Sequence, residues 1–194
     1  MLNSLSSSQI LKITDFIKDN KEVWDVVLYG SVVRGKEKPN DIDIAIILNK
    51  EVDLESKLSI SFRLREALKG AFKSVNIEAV SFSDLMDPSL LSRQAIVAEG
   101  YSLKARRFLH EMFGFETRTI FMYSLEGFTA SRKKMIYYAL KGRRGEDGLI
   151  RRCNAEQIGN TIIRCPLGYS EIFREFFDYN SIKFREERAI SYKF

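Results

Sequence analysis

The sequence is poor in the residues that several large enzyme classes depend on. It holds one histidine, two cysteines, three prolines and one tryptophan in 194 residues. With His110 as the one imidazole, a histidine-built zinc site or a Ser-His-Asp triad lacks its partners, and His110 reads as structural or exposed. Cys153 and Cys165, 12 residues apart, are too few for a secreted disulfide scaffold and read as ordinary half-buried thiols. No apolar run reaches the roughly 18 residues of a transmembrane helix, so no membrane partner is expected. The N-terminal stretch MLNSLSSSQILKITDF has neither the basic nor the apolar region of a secretory signal, which makes a cytoplasmic protein the expectation. Internal repeats and low-complexity linkers are missing too.

What is present suits a globular chain with one sizeable core and a small second domain. Hydrophobic residues make up 45% and charged residues 29%. The charge is uneven. Residues 1–100 carry 13 Lys+Arg against 15 Asp+Glu, and residues 101–194 carry 18 against 11. The basic second half suits a polyanionic partner such as nucleic acid, or equally a solvated face with no partner.

Periodicity divides the first half into alternating elements. Ser8 can cap a helix whose apolar positions are Ile10, Leu11, Ile13, Phe16 and Ile17. Val23–Tyr29 has the composition of a strand and stops at Gly30-Ser31. A polar stretch, 34–40, holds Lys36 and Lys38 as solvated charges. A second strand, Asp41–Leu48, follows it. Leu54, Leu58, Phe62, Arg65 and Leu68 mark a helix closed by Gly70. Val75–Phe82 is a third strand, and 84–100 is helical with a break near Pro88. In the second half, strands are expected at 117–125, 161–165 and 182–190. Helices are expected at 131–140 and 170–178, and a glycine-rich charged turn at 142–148. The domain boundary is placed between 107 and 108.

The chemistry concentrates in Gly30-Ser31-Val32-Val33-Arg34-Gly35 and Asp41-Ile42-Asp43. Glycine at a strand end lets the backbone turn sharply and lets a ligand approach. If Ser31 opens a helix, its N–H groups and hydroxyl form an anion site suited to phosphate. Arg34 reads as a support for that phosphate or as an exposed helix residue. Asp41 and Asp43, two apart on a strand, point to one face, and two such like charges are tolerated when a divalent cation neutralises them. Phosphate-gripping turn followed by metal-gripping strand suits in-line attack on the α-phosphate of a nucleoside triphosphate. A third carboxylate from a neighbouring strand would complete a two-metal site. Glu78, flanked by Ile77 and Ala79, is the first candidate and potential general base. Asp84 is the fallback, although it precedes a helix as an N-cap would.

Together, Gly30-Ser31 with Arg34-Gly35, then Asp41-Ile42-Asp43, then Glu78, resemble the DNA polymerase β-like nucleotidyltransferase superfamily. The likeness is to its minimal nucleotidyltransferase branch, over roughly residues 8–106. The resemblance implies an α+β fold, a mixed β-sheet flanked by helices. It implies nucleotide binding by Gly30, Ser31 and Arg34, and catalytic and metal-holding roles for Asp41, Asp43 and Glu78 around two Mg2+ ions. The family's third carboxylate is often Asp, and Glu78 is a permitted match at that position.

The expected enzyme is thus a Mg2+-dependent nucleotidyltransferase for residues 1–107, moving a nucleoside monophosphate from an NTP such as ATP to a hydroxyl of RNA, a tRNA end included, or of protein. The alternatives are a catalytically inactive nucleotide- or nucleic-acid-binding module and a component of a toxin–antitoxin pair. Residues 108–194 are expected to be a small basic α+β domain. In it Arg132, Lys133, Lys134, Arg143 and Arg144, with interleaved tyrosines, are candidate nucleic-acid contacts or an ordinary solvated helix face.

Overall fold

The structure, a computed structural model, describes residues 5–36, 39 and 41–192. Glu37, Lys38 and Asn40, in the polar stretch after Arg34, lie outside the described residues. The chain divides into two compact units, Met1–Phe115 with Tyr192–Phe194, and Glu116–Ser191.

The first unit runs α1 (Ser7–Asp19), β1 (Val23–Tyr29), β2 (Ile42–Leu48), α2 (Leu54–Ala67), β3 (Val75–Ser81), α3 (Phe82–Met86), α4 (Arg93–Glu99), β4 (Tyr101–Ser102), β5 (Arg107–Phe108) and α5 (Leu109–Met112). Helix α1 is capped by Ser6 rather than Ser8. Ser6 and Gln9 form a reciprocal capping box, which Ser8 cannot form because the residue three further on is Leu11. The five strands lie in the order β3-β2-β1-β4-β5, a mixed sheet as expected. β1 pairs antiparallel with β2, and β2 pairs parallel with β3. That parallel pair needs a crossover, which α2 supplies.

β1 and β2 are buried on both faces: Val26, Val27, Leu28, Ile44, Ala45 and Ile46 are all inaccessible. Burying a valine, leucine or isoleucine side chain contributes roughly 1.5–3 kcal/mol. One face carries Val27, Ala45, Ile47 and Val80 against Leu85, Ile96 and Leu109. Because Leu109 belongs to this core and β5 pairs with β4, the unit extends past the expected 107/108 boundary to Phe115. His110 is buried, stacked on Phe108 with ring centroids 5.0 Å apart, and its Nδ1 lies 3.0 Å from the Ala98 carbonyl oxygen.

The second unit runs β6 (Phe115–Ser124), α6 (Ala130–Lys141), β7 (Gly142–Arg143), β8 (Glu146–Asp147), α7 (Leu149–Arg152), β9 (Glu156–Gly159), β10 (Ile162–Pro166), α8 (Ser170–Tyr179) and β11 (Lys183–Tyr192). Its sheet order is β11-β6-β10-β9. Phe121, Ile163 and Cys165 from the sheet pack with Phe173 and Phe177 of α8, all fully buried. The expected turn at 142–148 is a two-stranded hairpin, and both α7 and β9 are additions to the expected elements. Cys153 and Cys165 are free and buried, and burial pushes the Cys165 thiol up to about 12.

Candidate active site

The site lies where β1 ends and β2 begins. Tyr29, the last residue of β1, stands opposite Asp43 of β2. The chain then turns at Gly30, whose φ is +76°. A Cβ there would collide with Asp43 Oδ2, so a larger residue is strained and displaces that carboxylate. In place of the short helix expected from Ser31, the backbone forms a single 3-10 turn, Gly30–Val32. The Arg34 N–H donates to the Gly30 carbonyl at 3.3 Å, and the Lys36 N–H to that of Ser31 at 3.1 Å.

Asp41 and Asp43 are brought together by β3. The parallel register puts Asn76 level with Asp43, and the Asn76 amide Nδ2 donates to Asp41 Oδ2 at 3.2 Å and to Asp43 Oδ1 at 3.1 Å. One nitrogen reaching both carboxylates fixes them on a common face, half-exposed at the strand ends. Neither forms an ion pair with a lysine or arginine among the described residues. Two adjacent carboxylates bridged by a neutral amide remain a concentrated negative charge.

Glu78 is placed differently. It pairs with Ala45, one side-chain step further along the same face. There it accepts from the Tyr29 hydroxyl at 2.6 Å and the Ser92 hydroxyl at 2.9 Å. Burial first, then the Glu78 carboxylate, pushes the Tyr29 phenol above its ordinary value. The face therefore grades from Asp41, through Asp43 and Asn76, to Tyr29 and Glu78 below the start of α4, and then to the apolar core. Among the described residues no three of His, Cys, Asp and Glu come together as a metal-ligand group. The parallel register is the reason: it sets Asn76, not Glu78, beside the aspartates. Asp84, the fallback, accepts from the Ser81 backbone N–H at 2.6 Å and the Lys57 ammonium at 2.5 Å, a capping role within α3.

The chain matches the family described as "Polymerase beta, Nucleotidyltransferase" over residues 11–104. Residues 11–104 are a polymerase beta nucleotidyltransferase domain. Solved structures resemble about half of the chain. One is a toxin–antitoxin MntA–HepT complex, at 22% identity over 50% of this chain and 71% of that one, with a TM-score of 0.35. A second is the tri-AMPylated Shewanella oneidensis HEPN toxin in complex with MNT antitoxin, at 22% identity, 48% and 67% coverage and a TM-score of 0.34. A third is a toxin–antitoxin with AMP-PNP, at 26% identity, 48% and 71% coverage and a TM-score of 0.36. No curated protein matches the chain.

Within the nucleotidyltransferase domain, Arg34 is committed to the scaffold at one end. Its Nη1 donates to Glu99 Oε2 of α4 at 2.8 Å, in a largely buried pair. That bond moors the turn after Gly30-Ser31 to the helix behind it. A residue that composition did not flag is Asp25, buried in the middle of β1. It accepts from the Ser102 hydroxyl and, at 3.1 Å, from the Lys104 backbone N–H. Burial raises its carboxyl above the ordinary range, and the neighbouring donors oppose that. Its role is to tie β1 to β4, and a lone acid amid Val and Trp was the signal for it. No helix among the described residues is long and apolar enough to cross a membrane.

The basic candidates of the second unit lie on α6 and the hairpin after it, all exposed. Arg132 sits over the Phe128 ring at 4.5 Å and donates to the Asn180 carbonyl. Arg143 covers Tyr138 at 4.8 Å, with Lys134 at 5.8 Å from the same ring. Arg144 holds a positive φ of 53° at the hairpin tip. Lys133 and Lys134 line a cavity beside α6.

Proposed function

We propose that the nucleotidyltransferase domain moves a nucleoside monophosphate from an NTP, ATP among the donors, to a hydroxyl of RNA, a tRNA end included, or of protein. The observation that carries this reading is the convergence of Asp41 and Asp43 on one amide nitrogen beside a glycine held at a positive φ. The donor set fits Mg2+, which takes oxygen ligands and is commonly held by one or two carboxylates with substrate phosphates. Asp41 and Asp43 would hold it; when bound, it neutralises charge on the phosphates and polarises the α-phosphorus.

The chain's own residues do the rest. The turn at Gly30-Ser31 lets the triphosphate approach the backbone closely, and Arg34 keeps that turn in place through Glu99. The acceptor hydroxyl attacks the α-phosphorus and gives up its proton to solvent, the bond to the bridging oxygen breaks, and pyrophosphate leaves. In this reading Glu78 serves as base or as ligand of a second Mg2+ only if it leaves Tyr29 and Ser92. That engagement favours a second reading, nucleotide binding without turnover.

The test uses purified protein, Mg2+ and each NTP labelled at the α-phosphate, with total cellular RNA, total protein and the product of an adjacent gene as acceptors. Wild type is expected to transfer label, and Asp41→Ala/Asp43→Ala to lose at least about a thousandfold, the scale of lost metal-assisted catalysis. Metal-dependent NTP binding with no transfer to any acceptor establishes the second reading. Equal transfer by the double variant overturns the site.

A further inference from the structure

We propose that the second unit binds single-stranded nucleic acid in a pocket between α6 and the turn joining β9 to β10. The inference stands apart from the transfer reading, because it concerns binding that needs neither NTP nor metal. The pocket has a volume of about 440 Å3, the scale of small-ligand sites. Its floor is apolar and aromatic, formed by Tyr123, Ile136 and Leu140. Its rim carries Lys133, Lys134 and Lys141, and no carboxylate lines it. Gln157 and Asn160 close the other side, with the Gln157 amide donating to the Asn160 carbonyl at 2.9 Å.

The helical repeat explains the arrangement. Lys133, Tyr137 and Lys141 recur every four residues and so share one face of α6. The outer lysines are eight residues apart, about 12 Å along the axis. That span covers about two phosphates of a single strand, so a lone small anion would leave part of it unused. Between them stands Tyr137, a large aromatic residue that is 56% exposed. Its neighbour Tyr138 is covered by Lys134 and Arg143. An exposed ring set between cations, above an apolar floor, is the arrangement that stacks a base while the backbone phosphates meet lysines. A duplex keeps its bases stacked inside and has no ring to offer. An acidic peptide would satisfy the lysines but leave the aromatic floor without a partner.

Binding of the full chain to a fluorescent twelve-nucleotide oligouridine RNA is measured by anisotropy in EDTA, without NTP, across a salt series. A failure here leaves the transferase reading intact, and the reverse. Wild type is expected to bind with steep salt dependence. Lys133→Gln/Lys134→Gln/Lys141→Gln is expected to weaken binding at least tenfold and flatten the log–log salt slope by about 1.4, near 0.7 for each of the two phosphates no longer neutralised. Tyr137→Ala is expected to weaken binding about tenfold with the slope unchanged, and Tyr137→Phe to restore it. Arg151→Gln, a surface change outside the pocket, is expected to bind as wild type. Parallel binding of an oligothymidine DNA of the same length supports ring-and-phosphate readout, and preference for the RNA adds the 2′-hydroxyl. The proposal is overturned if Tyr137→Ala binds as wild type, if all variants including Arg151→Gln weaken alike, or if a duplex or an oligoglutamate peptide competes equally.

Discussion

In the first unit two carboxylates, Asp41 and Asp43, meet at a neutral amide; in the second, Glu171 and Glu186 meet at the guanidinium of Arg174, at 2.8 and 2.6 Å. Arg188 adds a further cation to Glu186. The two clusters have similar chemistry and opposite electrostatics. The second is closed: its acids are balanced within the fold, as buried charges must be. The first is open: its negative charge has no cation of the protein's own among the described residues, and folding tolerates it at the half-exposed strand ends. In this pair of clusters the shielded acids come with their counter-ions, whereas the two adjacent half-exposed acids, left with one neutral donor, are set for a cationic ligand.

Substitutions can break that contrast. The largest effect is expected for Asp43→Asn, with transfer lost about a thousandfold and the metal-free melting temperature unchanged or raised, because a like-charge repulsion is relieved. A marked fall in metal-free stability would place Asp43 with the shielded acids instead. Arg174→Met is expected to do the opposite, costing the second unit about 1.5–3 kcal/mol by removing charged hydrogen bonds to Glu171 and Glu186 while Arg188 stays on Glu186, as measured by chemical denaturation. Gly30→Ala is expected to cost roughly 1–3 kcal/mol through its positive φ and to abolish transfer by displacing Asp43. Glu78→Gln, which keeps an acceptor oxygen for Tyr29 or Ser92, is expected to reduce transfer less than about tenfold, below the usual range for a general base.

The closed cluster also has a pH signature. Burial pushes Glu186 up, but the hydrogen bonds of Arg174 and Arg188 outweigh it, so its carboxyl lies below the ordinary 4.5. A depressed value means the folded state prefers the ionised form. The stabilisation is therefore complete above the ordinary value and is lost as pH falls through the lowered one. Acid melts of wild type are expected to show this loss, and Glu186→Gln to flatten it.

Local signals made the open cluster legible. Gly30-Ser31 ends a strand in the sequence itself, and the spacing of Asp41 and Asp43 fixes their shared face by the two-residue strand period. The strands 23–29 and 42–48 declared themselves by β-branched runs. What did not show was anything set by pairing across distance. The level of Asn76 against Asp43 depends on how far α2 carries the chain before β3 joins β2, and no residue near Glu78 reports it. Asp25 looked like one polar residue in a strand because its partners, Ser102 and Lys104, lie more than seventy positions on. In the second unit β9 is short and ends in glycine, so its alternation is too brief to stand out from a loop.

β3 closes the sheet on its side, with no described strand beyond it. The aspartate pair therefore sits one strand in from a margin, with exposed Asn76 as its outermost neighbour. A site at a rim differs from one at the bottom of a tunnel in what can reach it. A bulky reactant, such as a folded polypeptide or the end of a polymer, can come in from the flank without being threaded or unfolded. Selectivity at such an address has to come from surfaces that hold the rest of the reactant.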